Sequence, residues 1–410
     1  MKRTITLLII LTYLMLFSSL YSQEIPGIQF ELVKSKTLPQ SVHRWLFPGE
    51  ETIISVGEDQ ITWWKNSETR PFPLPEDVLK VISSKGGNYF AIVGLSPISE
   101  NNLKQSRTLR IEVYTAGQQE PLYTIERPLE YDDPLPLIAL SDRNGALIIG
   151  QNTTAALQFY NSEGRLLRTV RLFEGVGYDM ERALQIDLTK DGKIAAVVAG
   201  KHGASPAGSN APHPSAEPQL FLFSLQGVEL WREPLPDFNT SAVAISDNGQ
   251  YIAANSYTIT IDGKLTKKTL VYDRSGNRIG KVDILFKRAA FSPDGKVLIL
   301  ADNHLATALN LETGNISWRY ALPKKEGIIT AVAVSNGGKI SALLVAYSEL
   351  GEGTFMFTHP RLIILNRDGG ILQELELTGQ VFEKPAFTLS NDAKKIFIGF
   401  RNAYQVYQIK

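Results

Sequence analysis

At 410 residues with an apolar fraction of 43%, the chain carries enough hydrophobic surface for a sizeable core, which excludes bulk disorder. Lys plus Arg and Asp plus Glu balance at 42 each, so no net field steers a polyanion, and nucleic acid is not an expected partner. The chain has no cysteine, which removes disulfides and thiolate chemistry together.

Residues 1–22 read as a Sec-type signal peptide. Lys2 and Arg3 supply a positive start, residues 5–17 an apolar stretch, and residues 18–22 small residues suited to cleavage. The Thr- and Ser-interrupted apolar stretch is short for a bilayer span, so no stable membrane span is expected after cleavage. The mature chain, residues 23–410, is then expected to be periplasmic or secreted from a bacterial-type envelope.

From there the chain repeats itself. An apolar strand, a Ser-x-Asp-Gly-like turn and a second apolar strand recur as VISSKGGNYFAIVG from Val81, IALSDRNGALIIG from Ile138, IDLTKDGKIAAVVAG from Ile186 and VAISDNGQYIAAN from Val243. AAFSPDGKVLILAD from Ala289, VAVSNGGKISALLVAY from Val332 and FTLSNDAKKIFIGF from Phe387 continue the series. A looser copy, RWLFPGEETIISVG, starts at Arg44. Five of these hairpins are followed by a second pair of strands joined at Gly164, Gly227, Gly276, Gly314 or Gly369. In the last of these pairs but one, Ile316, Trp318, Tyr320 and Leu322 alternate with polar residues, as in a strand with one wet face.

Four antiparallel strands repeated about every fifty residues predict an all-β fold, a single β-propeller of eight four-stranded blades. The count falls to seven if the hairpin at Arg44 is not a true one. The final blade has only Ala403–Ile409 after its hairpin, so residues 28–33 are expected to close the ring by pairing with it. Counting three or four buried apolar side chains, removal of residues 24–38 is expected to cost about 6–8 kcal/mol.

The Ser-Pro-Asp-Gly-Lys turn at Ser292 resembles that of WD40-like and YVTN-type propellers. LNLETGNISWRY, with Gly314 and Trp318, resembles the PQQ-like repeat, in which Gly-x-x-x-Trp docks one blade on the next; Gly227 and Trp231 fall at the same spacing. The resemblance implies the propeller fold. Quinoprotein enzymes of that superfamily use adjacent cysteines at their cofactor, and this chain has none, so no cofactor is expected.

The first-to-second and third-to-fourth turns are short and share one rim. The long connectors fall on the other rim: residues 96–107, 202–218 and 347–360 between second and third strands, and 129–136, 173–182 and 234–240 between blades. Recognition is therefore expected there. Residues 201–218 form a low-complexity loop rich in Gly, Pro, Ser and Ala, and its His202 and His213 lack a fixed third ligand, so no metal site is expected. Candidate ligand-binding residues on the rim are Asp132, Asp133, Tyr178, Asp179, Glu181, Tyr257, Asp302 and His304, and Tyr131, Phe355 and Phe357 add aromatic surface. Asp302 and His304 flank Asn303 in a turn that Asp302 itself is expected to cap.

No catalytic motif appears. The expected function is that of a non-enzymatic exported propeller binding a protein or peptide partner through its long-loop rim, with a glycan as a further ligand class. The alternatives are a carbohydrate-active hydrolase or lyase using rim carboxylates, and a quinone- or metal-dependent enzyme.

Overall fold

The recurring Ser-x-Asp turn has a local physical cause. Ser292 is buried; its Oγ donates to Asp294 Oδ1 at 2.6 Å and accepts the backbone N–H groups of Lys296 and Val297 at 3.1 and 2.9 Å. Ser390 with Asp392, Thr189 with Asp191 and Ser246 with Asn248 repeat the arrangement. One hydroxyl thus satisfies the amides that open the second strand, and the following Gly295, at φ 71, turns the chain. The hydrogen bond from Ser390 and the Lys394 N–H hold the Asp392 carboxyl below the usual carboxylate range.

The computed structural model describes residues 29–37, 44–49, 52–57, 59–65, 68–75, 77–96, 107–129, 134–152, 154–173, 182–201, 218–260, 262–351 and 354–410. They form eight four-stranded antiparallel sheets. Blades 1 to 7 occupy residues 44–73, 78–129, 137–171, 182–234, 243–282, 288–321 and 328–376, each with its strands in chain order. Blade 8 takes three strands from residues 387–409 and its fourth, Phe30–Thr37, from the other end of the chain. The hairpin at Arg44 is a true one, with Arg44–Gly49 paired to Thr52–Val56, so the blades number eight.

The core is distributed around the ring. Eight hydrophobic clusters are present among the described residues, each built from two neighbouring blades. The cluster between blades 8 and 1 contains Trp45, Ile53, Trp64, Phe397, Tyr404 and Val406. No blade can bury its faces alone, which is why the repeat closes into a ring.

The closing strand needs correction in extent and in energetics. It is Phe30–Thr37, in register from Phe30 opposite Ile409 to Thr37 opposite Ala403, with a bulge at Val33. Ile28 lies outside the described residues. Only Phe30 is part-buried, edge-on to Tyr407 at 6.5 Å, whereas Leu32 and Val33 are about half exposed. Counting apolar residues overstated the closure because an outermost strand has one face in water and lies outside the interblade core. Its hold is the backbone ladder, supported by Lys36 over the Trp64 ring at 5.0 Å and Lys34 over Tyr404 at 5.6 Å. Removing residues 29–37 is expected to cost about 3–5 kcal/mol from seven lost residue pairs, net of ordering entropy. It also bares the edge of Ala403–Ile409. Thermal unfolding should drop by several degrees and light scattering should show self-association; a monomer with unchanged melting would contradict this account.

Candidate functional site

The two rims differ in how they use their polar groups. On the short-turn rim, first turns lean on their neighbours at several seams. Asp142 of blade 3 accepts Ser84 Oγ at 2.5 Å and both the backbone N–H and Nδ2 of Asn88 at 2.9 Å from blade 2, and its carboxyl leaves no room for a side chain at Gly86. Lys190 N–H donates to Asp247 O across blades 4 and 5, and Asn336 N–H to Asn391 O across blades 7 and 8. From the blade 2 turn, Lys85 reaches past blade 3 to Asp187 Oδ2 of blade 4 at 2.9 Å and Ile245 O of blade 5 at 3.0 Å, laying an ammonium along the channel wall. Residues 29 and 410 also meet on this rim through paired backbone bonds.

The long-loop rim carries the connectors and two projecting hairpins. In blade 5, Tyr251–Ile259 and Leu265–Asp273 pair out to Ile259 opposite Leu265, well beyond the blade's first strand. In blade 7, Ile340–Gly351 and Thr354–Asn366 do the same. Residues 347–360, expected to be an irregular loop, are mostly strand among the described residues: Gly351 and Pro360 read as loop punctuation, yet Gly351 pairs with Thr354 near the hairpin's end and Pro360 falls within the strand Thr354–Asn366.

The sequence candidates distribute unevenly. Asp132, Asp133, Tyr178, Asp179 and Glu181, with Tyr131, His202 and His213, lie outside the described residues. Tyr257 is 4% exposed, and burial pushes its phenol pKa up. Asp302 Oδ1 accepts the N–H groups of His304 and Leu305, both at 2.8 Å, so the turn is self-capped. Asp302 Oδ2 lies 3.4 Å from Lys267 Nζ, and Lys267 is opposite Tyr257 in the blade 5 hairpin. The structure therefore links Tyr257, Asp302 and His304 along the seam of blades 5 and 6. The Nδ1 of His304 is buried without a hydrogen-bond partner among the described residues. Phe357 is buried and Phe355 is 65% exposed.

Close to this seam, a cluster that sequence reasoning missed pins the connector into blade 5. Asp237 Oδ2 accepts Ser256 Oγ at 2.8 Å and lies 3.1 Å from Lys268 Nζ. Asn255, fully buried, donates to Phe286 O and Ser241 Oγ and accepts Thr269 Oγ1. Arg288 opens the first strand of blade 6 and is 8% exposed. Its Nε donates to Thr330 O at 2.9 Å and its Nη2 to Glu383 O at 3.0 Å, so one side chain spans blade 7 to the lead-in of blade 8. The Thr330 carbonyl is available because the ladder slips between Ile329 and Ala331. Burial lowers the Arg288 pKa, opposed by the Glu383 carboxylate. A charged residue at the head of an apolar strand was the available signal; its partners, 42 and 95 residues away, were not readable.

The residues singled out for blade docking sit at blade seams. The Trp231 ring of blade 4 lies against Gly276 of blade 5, and its Nε1 donates to Arg274 O at 2.8 Å. Trp318 of blade 6 packs on Gly369 of blade 7, where a Cβ would stand 2.6 Å from the Trp318 Cβ. Gly227 faces Phe159 and Arg168 of blade 3, and Gly314 faces the Ile279 carbonyl of blade 5. The turn glycine of one blade thus receives the outer strand of the blade before it.

Among the described residues, no group of three or more His, Asp or Glu side chains converges as a metal site, and no helix is long and apolar enough to cross a membrane. No protein-family profile and no curated protein matches the sequence. Among solved structures, the chain is similar to the C-terminal WD40 domain of Sif2, with a TM-score of 0.52 and 11% identity, over 93% of this chain and 98% of that one. At that identity the likeness bears on the fold alone. The chain is an eight-bladed β-propeller with a WD40-like fold.

Proposed function

We propose that this chain is an exported, non-enzymatic propeller that binds a protein or peptide partner in the cell envelope through its long-loop rim. The observation that carries the reading is the contrast between the rims. On the short-turn rim, turn polar groups are spent on neighbouring turns. The long-loop rim carries the two most exposed large apolar side chains among the described residues, Leu350 at 74% and Phe355 at 65%, with Leu135, Phe238, Leu265 and Tyr347 also exposed there. Solvent-exposed aromatic and aliphatic residues on rigid hairpins are what a protein partner buries. Export rests on the composition of residues 1–22. The carbohydrate-active alternative turns on Asp132, Asp133, Asp179 and Glu181, which lie outside the described residues.

Pull-down from an envelope extract tests the proposal. The wild-type chain should recover a defined partner. A variant with residues 97–106 and 202–217 replaced by short Gly-Ser linkers and with Leu265→Ser and Leu350→Ser should lose it, while Lys190→Ala on the other rim should not. Equal recovery by all three proteins would refute the assignment of the rim.

A further inference from the structure

Among the described residues the blade 7 hairpin has one unpaired strand edge, and the direction of its hydrogen-bonding groups follows from its register. Pairing with the first strand stops at Ile328 opposite Ala346, and with the fourth at Arg361 opposite Glu376. Beyond those points the two middle strands continue with each other through Ser348 opposite Phe357 and Leu350 opposite Phe355. On the fourth-strand side the chain covers its own edge, because Val381 N–H donates to Phe357 O at 2.9 Å. A residue that turns its carbonyl outward belongs to a non-hydrogen-bonded pair with the strand behind it. Ser348–Phe357 is therefore such a pair, and so is Leu350–Phe355 two residues further out. It follows that Ser348 and Leu350 aim their N–H and C=O groups at the opposite edge. Among the described residues no strand pairs with them there, and both are exposed. Leu350 and Phe355 share one face as a closely spaced pair, 74% and 65% exposed, and that face continues inward to buried Phe357.

Blade 5 shows what such an edge accepts. There the second strand also outruns the first, whose pairing ends at Val243 opposite Ala254. The chain's own connector fills the gap: Asn239 N–H donates to Tyr257 O at 2.9 Å, and Tyr257 N–H to Asn239 O at 3.0 Å. The connector into blade 7 does not do this. It arrives as the single turn Lys324–Glu326 and enters the blade at Gly327, which lies so close to the hairpin that a Cβ would meet Ala346 O at 2.5 Å. Lys324 and Lys325, three and two residues ahead of Gly327, are exposed and without an ion-pair partner among the described residues, while Glu326 is held by Arg361 at 2.8 Å.

We infer that the open edge of the blade 7 hairpin receives an extended peptide by β-strand addition. Its backbone bonds Ser348 and Leu350, alternate apolar side chains cover Leu350 and Phe355, and an acidic residue sits beside Lys324 and Lys325. The inference rests on the long-loop rim being the recognition face and names the ligand chemistry at one place on it.

The test uses the full chain, immobilised and panned with a phage-displayed library of random 12-residue peptides. Enriched peptides should alternate apolar residues and carry Asp or Glu to one side. In fluorescence anisotropy with the synthetic peptides, Leu350→Pro should weaken binding at least about tenfold. That change removes an outward N–H and leaves the pairing with Phe355 in place, so the melting temperature should be unchanged. Leu350→Ser combined with Phe355→Ser, which keeps the backbone, should weaken binding by a similar factor, and Lys324→Glu with Lys325→Glu should remove the acidic preference. Methylating alternate peptide amides should abolish binding in one phase only. Failure to enrich such peptides, equal binding by Leu350→Pro, or a wild-type dimer that Leu350→Pro dissolves, meaning a second copy takes the edge, would overturn the inference. If Leu350→Pro still captures the envelope partner as wild type does, this inference fails and the rim assignment stands; if the wild type captures none, the rim assignment itself fails.

Discussion

Replacing Trp45 with alanine is expected to lower stability by about 3–5 kcal/mol, among the largest single-residue losses in the chain. Trp45 is 2% exposed, its ring lies 5.7 Å from Trp64 and 5.4 Å from Tyr404, and its indole N–H donates to Phe400 O. Gly399 gives it room, since a Cβ there would come within 2.7 Å of the ring. Trp45 thus joins the innermost strand of blade 1 to blade 8 at the seam where the chain must meet its own other end. Urea unfolding followed by circular dichroism is the measurement. A cost under about 1 kcal/mol would mean that the backbone ladder of Phe30–Thr37 carries the seam instead. Because the strand and the tryptophan serve the same seam, combining Trp45→Ala with removal of residues 29–37 should give a loss that is not the sum of the two.

Gly314→Ala is the second large expected effect, at about 3 kcal/mol or more, from two causes that can be separated. Gly314 sits at φ 71, which costs a side-chain-bearing residue about 1–2 kcal/mol. A Cβ there would also fall inside the contact radius of the Ile279 carbonyl oxygen, a backbone atom of blade 5 that cannot rotate away. Gly117 supplies the control: it has φ 85, and nothing lies within 4 Å of its missing Cβ. Gly117→Ala should therefore cost about 1 kcal/mol, the backbone term alone. The difference measured by thermal unfolding reads the closeness of blades 5 and 6, and equal costs for the two variants would show that the seam yields without strain. Where blades 6 and 7 meet, Trp318 fills the corresponding space; where blades 5 and 6 meet, Gly280 leaves it to backbone.

The repeat, the eight hairpins and the presence of a closing strand were legible in the residue order because their causes are local. Ser292 satisfies amides within five residues of itself, and the alternation of Ile316, Trp318 and Tyr320 is a property of one strand. Asp302 caps its own turn for the same reason. Among the rim candidates, Tyr257, Asp302 and His304 came to one seam, but their link through Lys267 depends on two blades meeting.

What only the tertiary structure decided is which surfaces other blades cover. The apolar count in the closing strand could not reveal that Leu32 and Val33 face water, since burial there depends on the strand being outermost. Nor could it show Arg288 reaching Glu383, Lys85 reaching Ile245, or Asn239 covering an edge in blade 5 whose counterpart in blade 7 no described strand covers. Turn chemistry and side-chain alternation act over a few residues and are written in sequence, whereas the covering of edges and the contacts between blades join residues tens to hundreds of positions apart, and the radial arrangement alone brings them together.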